Sequence, residues 1–205
     1  MELGADGIEL DVHVTRDGVV VVHHDSHPSG MPSGLAIAEL SAHDLAGIDL
    51  GGGERIPTLA SVLEAVAGRA EMFVELKGRR IEREVVDVVL RSASPHRCAI
   101  HSFDQAAVRR AKAIAPTLRC GILLEEKCAD PGAVLAAAGA TDFWPERESV
   151  DCATVERVHA AGGRVIAWTV NDPPDALRLA AMRVDALCSD DVPSIRRAVA
   201  QEEAS

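Results

Sequence analysis

The stretch GADGIELDVHVTRDGVVVVHHD, residues 4–25, decides the fold. In its first part, Gly7–Val12, apolar residues alternate with the acids Glu9 and Asp11. This period of two predicts a β-strand that carries both carboxylates on the same side.

A tight turn at Asp17-Gly18 separates this strand from a β-branched run, Val19–His23. An Asp-Gly pair is a strong hairpin signal, and the connection is too short for a crossover helix. The run is therefore predicted to return antiparallel and to bring His24 near the two acids. Two carboxylates and an imidazole in one region suit a divalent cation with an acid–base residue beside it.

The composition indicates one globular domain over residues 1–205, because 47% of the 205 residues are hydrophobic. A formal charge of -11 and an aromatic content of 2% argue against a nucleic-acid partner. Five scattered cysteines without a CxxC pair predict reduced thiols in a cytoplasmic protein. No apolar run is long enough to span a bilayer, and no leader-like segment opens the chain.

The remainder of the chain divides into a loop and a regular region. Residues 26–57 are rich in Gly, Pro and Ser, with a short helix predicted near Ala38–Leu45, and we interpret them as a lid or binding insertion. From Leu59 onward, helical patterns alternate with short strands, which indicates a parallel sheet covered by helices. The predicted strands are Met72–Lys77, Cys98–Phe103, Leu118–Leu124, Thr141–Pro145, Arg164–Val170 and Asp185–Ser189.

With the Gly7 strand, this count gives seven parallel strands, whereas a closed (βα)8 TIM barrel has eight. The fold is therefore predicted to be an α/β barrel that lacks its first βα unit, with Met1–Asp6 as the tail of a truncated helix.

Acidic residues on strands that are covered on both faces need a partner. Glu75 shares its face with Lys77 and, like Glu9 and Asp11, lies near the carboxyl end of a strand, where barrel enzymes place their chemistry. Three carboxylates suit Mg²⁺ or Ca²⁺. The alternative for Glu75 is a buried ion pair with Lys77.

The histidines and tryptophans offer further candidates. His24 stands next to Asp25, which could orient its ring, although a lone histidine in such a place is more often structural. His101 ends a strand and is a secondary acid–base candidate. His13 is assigned to the apolar face of its strand or just beyond it. Trp168 is predicted to form an apolar wall of the barrel mouth, with core packing as the alternative.

Six motifs in order resemble the glycerophosphodiester phosphodiesterase family, from the start of the chain to about Pro193. They are residues 4–25, IPTL at 56–59, FVELK at 73–77, HSFD at 101–104, WTVND at 168–172 and DALCSDDVP at 185–193. The resemblance implies a (βα)8 barrel with an insertion after the second strand. It also implies metal-dependent hydrolysis of small glycerophosphodiesters to glycerol 3-phosphate and an alcohol.

The resemblance also implies roles for individual residues. His24 would be one of two acid–base histidines, Lys77 would meet the phosphate, and Trp168 would lie near the glycerol or alcohol. The implied ligands of the divalent cation, Mg²⁺ or Ca²⁺, are Glu9, Asp11 and Glu75.

The sequence departs from the family at its front, where a strand ending in His-Arg-Gly and a PEN-type stretch are absent. The partner histidine, an arginine and a further acid are absent with them. Either the start is placed too far downstream, with any signal peptide lost as well, or the chain is a short variant with an open barrel. We favour the first interpretation, because the flanking strands carry no protecting charges beyond Glu9 and Asp11.

Three functions follow as hypotheses. The first is the metal-dependent hydrolase, and the second is a catalytically impaired barrel that binds metal or phosphate without turnover. The third, a phosphoinositide- or sphingolipid-cleaving enzyme, would need a lipid-facing apolar loop, for which the insertion offers only Met31, Leu35 and Ile37. An open seam in the barrel could promote homo-oligomers.

Overall fold

The computed structural model describes residues 3–28 and 34–203, in which strands alternate with helices. The strands are β1 (Gly7–Val14), β2 (Val20–Val22), β3 (Glu71–Leu76), β4 (Cys98–Ser102), β5 (Arg119–Leu124), β6 (Asp142–Pro145), β7 (Arg164–Ala167) and β8 (Ala186–Leu187). The helices are α1 (Ala42–Ala46), α2 (Leu59–Val66), α3 (Glu82–Arg91), α4 (Gln105–Ile114), α5 (Pro131–Ala138), α6 (Cys152–Ala160), α7 (Pro173–Ala181) and α8 (Val192–Glu203). Within these ranges, none of the helices has the length and apolar character that crossing a membrane requires.

The strands form one curled sheet in the order β2-β1-β3-β4-β5-β6-β7-β8. All neighbouring pairs are parallel except β1 and β2, which pair antiparallel as the hairpin signal predicts. In the described ranges β8 forms one edge of the sheet and β2 the other. Seven parallel strands with helices between them are the architecture of an incomplete (βα)8 barrel, which confirms the predicted fold class.

Most of the predicted strand boundaries differ from the observed ones by only a residue or two, and two short elements differ more. The single helix predicted at Ala38–Leu45 is instead a 3-10 turn at Ile37–Glu39 followed by α1. Ser41 causes the break, because its side chain accepts a hydrogen bond from the backbone N–H of Asp44 and so caps a new helix. The helix tail predicted at Met1–Asp6 lies partly outside the described residues, and residues 3–6 are not helical.

In its described residues, the insertion has a small core of its own, which buries Ile37, one of the three apolar residues named above for a lipid-facing loop. Ile37 is fully buried there with Val21 of β2, and Met31 lies outside the described residues. The remaining members of this insertion core are Leu40, Leu45, Ile48 and Ile56.

Side-chain caps begin several of the barrel helices. Thr58, Asp104, Asp130 and Asp151 each accept a hydrogen bond from a backbone N–H in the first turn of α2, α4, α5 and α6, respectively. Gly139 ends α5 with φ of +65°, a conformation that glycine adopts without strain. These signals fix where each helix leaves and rejoins the sheet.

The sheet has an outer core against the helices and an inner core. Alternate residues point each way, so that Met72 and Val74 of β3 pack outward and Phe73 packs inward. Trp144 is the largest inner side chain. Gly121 on the neighbouring strand makes room for it, since a Cβ there would lie 2.9 Å from its indole ring. The inner core comprises Phe73, Ala99, Leu123, Trp144 and Ile166.

The amino ends of the strands carry a network of two acids and two arginines, which we call the amino-end network: Glu71, Arg119, Asp142 and Arg164. The Arg119 guanidinium lies 2.8 Å from Glu71 and 3.2 Å from Asp142. Arg164 donates to both oxygens of Asp142 at 3.1 Å and lies 3.7 Å from Glu71. Asp142 is completely buried, and the network closes this end of the interior with balanced charge.

Candidate active site

The strand register brings the predicted acids together at the carboxyl ends of the strands. Asp11 on β1 lies opposite Glu75 on β3, and Glu75 lies opposite His101 on β4. Glu9 precedes Asp11 by two residues and therefore points to the same inner side. Carboxylates from two strands thus converge above the inner core.

Lys77 joins two of these acids. Its Nζ lies 3.0 Å from Oε1 of Glu75 and 3.3 Å from Oδ1 of Asp11. The ion pair between Glu75 and Lys77, which the sequence offered as an alternative to a metal site, is therefore present, and Asp11 shares it. One lysine does not neutralise two carboxylates, so an excess of negative charge remains beside Glu9.

The candidate metal ligands that the structure groups together are Glu9, Glu75 and His101; the predicted ligand Asp11 is not in this group and pairs with Lys77. Ligand atoms of Glu9, Glu75 and His101 all lie within 4.8 Å of one another. The Nε2 of His101 lies 3.2 Å from Oε1 of Glu9. The ring is only 1% exposed and packs on Trp144, with 4.5 Å between ring centroids. Its Nδ1 has no hydrogen-bond partner in the described part of the chain.

Burial and charge shift the pKa values of these groups. Burial raises the pKa of Glu75, and Lys77 offsets that effect only in part. Burial opposes the charge of Lys77, but the carboxylates of Glu75 and Asp11 outweigh it, so the pKa of the lysine lies above its usual value. Burial, followed by the charges of Glu9 and nearby aspartates, raises the pKa of the Cys188 thiol to about 12. The local potential is negative and favours a cation.

The hairpin places His24 at the same mouth. The backbone N–H of His23 donates to the carbonyl of Asp11 at 3.0 Å, so the chain returns to the level of the acids, as predicted. The Nδ1 of His24 lies 2.8 Å from Oδ1 of Asp25, the neighbour expected to orient it. The His24 side chain is 73% exposed and open to a ligand.

His13 is not on the apolar face to which the sequence analysis assigned it. It follows Glu9 and Asp11 at intervals of two and shares their side of β1. Its Nε2 donates to the carbonyl oxygen of His24 at 3.2 Å, and the ring is 7% exposed. Burial lowers the pKa of His13, which keeps the ring neutral. His13 therefore fixes the backbone that carries His24.

An aromatic wall borders the site on the side of β6 and β7. Trp168 donates from Nε1 to the carbonyl of Trp144 at 3.0 Å, and its ring meets Phe103 edge to face with 5.6 Å between centroids. Trp168 lines the cavity and also packs against the inner core, so both positions considered for it are observed. Phe103, in the HSFD motif, was not singled out. It is 40% exposed, which an apolar ligand surface would explain.

One cavity of about 460 Å³ contains the whole arrangement. All six residues that the sequence analysis assigned to a site line it: Glu9, Asp11, His24, Glu75, Lys77 and Trp168. Its size suits a small molecule. The cavity is also lined by Glu125, Cys188 and Asp190, which periodicity alone did not identify because they lie in loops or at a short strand end.

Comparisons with known proteins agree with this geometry. Residues 1–194 match the model of the glycerophosphoryl diester phosphodiesterase family. A glycerophosphodiester phosphodiesterase of Caldanaerobacter subterraneus subsp. tengcongensis is 32% identical over 93% of this chain and 84% of its own length. A probable glycerophosphodiester phosphodiesterase 2 of Mycobacterium tuberculosis is also 32% identical, over 92% of this chain and 77% of its own.

Among solved structures, an Oleispira antarctica phosphodiesterase in complex with the product sn-glycerol-3-phosphate has a TM-score of 0.84 and 26% identity. The similarity covers 97% of this chain and 87% of that one. A putative glycerophosphoryl diester phosphodiesterase from Silicibacter pomeroyi has a TM-score of 0.88, with 98% of this chain and 85% of that one covered. At 24% identity it supports the fold alone.

Proposed function

The chain belongs to the glycerophosphoryl diester phosphodiesterase family, and on that premise we propose that it hydrolyses glycerophosphodiesters to glycerol 3-phosphate and an alcohol. The observation that carries the proposal is the convergence of three acids, a lysine and an exposed histidine in one cavity. The product held by the Oleispira antarctica relative supports the same substrate class.

Glu9, Asp11 and Glu75 are proposed to hold a divalent cation, Mg²⁺ or Ca²⁺. The fit is supported by the close approach of Glu9 and Glu75 and by the negative charge of Glu9, Asp11 and Asp190, which adds to burial in raising the thiol pKa of Cys188. When bound, such a cation neutralises charge that develops on the phosphoryl oxygens. Burial makes the ionised form of Glu75 energetically costly, and a bound cation would offset this cost.

Lys77 is proposed to bind a phosphoryl oxygen. It is held between Asp11 and Glu75 and stays protonated, since its pKa lies above the usual value. A fixed cation at this position attracts the anionic diester and offsets the negative charge that develops on the phosphoryl oxygens in the transition state.

His24 is proposed to perform one of the two proton transfers of the reaction. With Nδ1–H donated to Asp25, its Nε2 is the nitrogen available for exchange. Hydrolysis adds an oxygen to phosphorus and breaks the bond from phosphorus to the alcohol oxygen. One proton leaves the attacking oxygen, and one is delivered to the departing alcohol. The hydrogen bond from His13 to the His24 carbonyl keeps this exposed ring in register with the acids.

Trp168 and Phe103 are proposed to contact the carbon skeleton of the glycerol or alcohol part. Their edge-to-face contact and the hydrogen bond from Trp168 to Trp144 make this wall rigid. We further propose that the enzyme is cytoplasmic and acts in lipid and glycerol metabolism. Homo-oligomers would form if an edge strand of the sheet, β2 or β8 in the described ranges, pairs with a second copy.

A second candidate function is binding of metal or phosphate without turnover. It is favoured by one observation: within the described ranges, His24 and His101 are the histidines that line the cavity, and His101 is buried. Only His24 is thus placed to reach a substrate, whereas the chemistry uses two proton transfers.

Hydrolysis of sn-glycero-3-phosphocholine by the purified chain, with Mg²⁺ or Ca²⁺, separates these functions. We expect release of glycerol 3-phosphate and choline, and His24→Ala should lower kcat/KM by about 10²–10⁴-fold. His43→Ala, an exposed histidine on α1, is the control and should leave the rate unchanged. Metal binding without product release would support the second function. Equal rates for His24→Ala and the unsubstituted chain would refute the role of His24.

A further inference from the structure

We propose that His101 is a direct ligand of the divalent cation, through Nε2, so that the site is a mixed nitrogen and oxygen site rather than a set of carboxylates alone. The inference rests on the proposed cation-dependent function and assigns a new residue to it. Family resemblance assigned the ligands as three acids, and the motif position of His101 suggested at most an acid–base role.

Geometry is the first support. Two atoms bound to one cation at about 2.0–2.4 Å lie no more than about 4.0–4.8 Å apart. The ligand atoms of His101, Glu9 and Glu75 lie within 4.8 Å of one another, the upper end of this limit, for every pair. His101 sits opposite Glu75 in the β3–β4 register and reaches across to Glu9, so the three groups surround one point.

The distribution of charge is the second support. Lys77 is committed to Asp11 and Glu75. Glu9 has no lysine or arginine partner in the ranges that the structure describes, and its ion-pair contact is with His101. A cation between Glu9, Glu75 and His101 would relieve this excess charge where the lysine does not reach.

The environment of the ring argues against an acid–base role. His101 is 1% exposed, so it is poorly placed to exchange protons with a substrate alcohol. Nδ1 has no partner among the described residues, so Nε2 makes the hydrogen bond that the structure gives this ring. Packing of the ring against Trp144, at an interplanar angle of 39°, holds its orientation, with Nε2 3.2 Å from Oε1 of Glu9.

An imidazole ligand changes which cation the site prefers. Oxygen ligands suit Mg²⁺ and Ca²⁺, whereas a nitrogen donor favours ions such as Co²⁺ and Zn²⁺. We therefore expect Co²⁺ and Zn²⁺ to bind this chain more tightly than Ca²⁺, with His101 responsible for the difference.

The first test is calorimetric titration of the metal-free chain with Co²⁺ and with Ca²⁺. His101→Gln should weaken Co²⁺ binding by about tenfold or more and Ca²⁺ binding by much less. His43→Gln, the matched control, should change neither affinity. An equal loss of affinity for both ions, or no loss of Co²⁺ affinity, would overturn the proposal.

A second measurement needs no variant. In chain labelled with ¹⁵N-histidine, Zn²⁺ should shift the Nε2 resonance of His101 most among the ring nitrogens. If Zn²⁺ binds and that resonance stays in place, His101 is not a ligand. Neither test depends on turnover, so failure of hydrolysis with a shifted His101 resonance would count against the proposed function alone.

Discussion

The two ends of the barrel interior use the same residue types in opposite ways. At the amino ends, two carboxylates face two arginines, and the buried Asp142 receives both hydrogen bonds of Arg164. At the carboxyl ends, three carboxylates share one lysine: Lys77 pairs with Asp11 and Glu75, while Glu9 contacts His101. Balanced charge serves the fold, whereas unbalanced charge at the opposite end is what a binding site for a further cation would need.

β3 supplies Glu71 to the amino end and Glu75 to the carboxyl end of the barrel interior. Substituting each in turn gives the largest expected difference between the two ends. Glu75→Gln should lower kcat/KM by roughly 10³-fold, because it removes a proposed cation ligand and a partner of Lys77. Glu71→Gln, four residues earlier on the same face, should leave the activity of the folded protein unchanged. The measurement is the rate of glycerol 3-phosphate release. Similar losses of activity in both variants would contradict the prediction that only the carboxyl end takes part in the reaction.

The second test addresses stability at the amino ends. Asp142→Asn leaves Arg119 and Arg164 with a neutral partner in a buried position and should lower the free energy of unfolding by about 3–5 kcal/mol. The control is Asp104→Asn, which retains a helix cap and touches an exposed pair with Arg110, and should cost less than about 1 kcal/mol. Urea unfolding measures both. A cost for Asp142→Asn as small as that for the control would show that the network contributes little.

The smallest effect is a difference in pH dependence. Burial opposes ionisation of Glu71, but the arginines outweigh it and lower its pKa below 4.5, so the folded protein binds fewer protons there. Its stabilisation is present above pH 4.5 and is lost as the pH falls through the folded pKa. Burial raises the pKa of Glu75, so its ionisation costs stability as the pH rises from 4.5 through the folded value.

Urea unfolding with a chelator, at a series of pH values, checks these signs. The stability difference between the unsubstituted chain and Glu71→Gln should shrink as the pH falls below 4.5. For Glu75→Gln the opposite trend is expected: as the pH rises above 4.5, the free energy of unfolding of the unsubstituted chain should fall relative to that of the variant. Parallel curves for the two variants would contradict the assignment of opposite roles.

Much of the architecture followed from local patterns in the sequence. The alternation of apolar and acidic residues with a period of two predicted β1, and the Asp17-Gly18 turn predicted the antiparallel return. The alternation of helical and strand patterns predicted the parallel sheet. The six assigned site residues line one cavity because parallel strands all present their carboxyl ends to the same side.

Contacts across the interior were less accessible to sequence reasoning. Glu9 contacts His101 although β3 lies between their strands, and His101 also packs against Trp144 of β6, so these contacts depend on how the sheet curls. The amino-end network escaped notice for the same reason, since its four members begin four different strands. His13 is a different case, because the period of two already placed it with Glu9 and Asp11.

Val21 gives the insertion an influence beyond its own boundaries. This residue of β2 belongs to the insertion core with Ile37, and it stands three positions before His24. A larger or smaller side chain in that core would shift β2 and carry the histidine with it. Replacing the insertion core with that of a relative should therefore move His24, the residue proposed for proton transfer, even though the described residues of the insertion do not line the cavity.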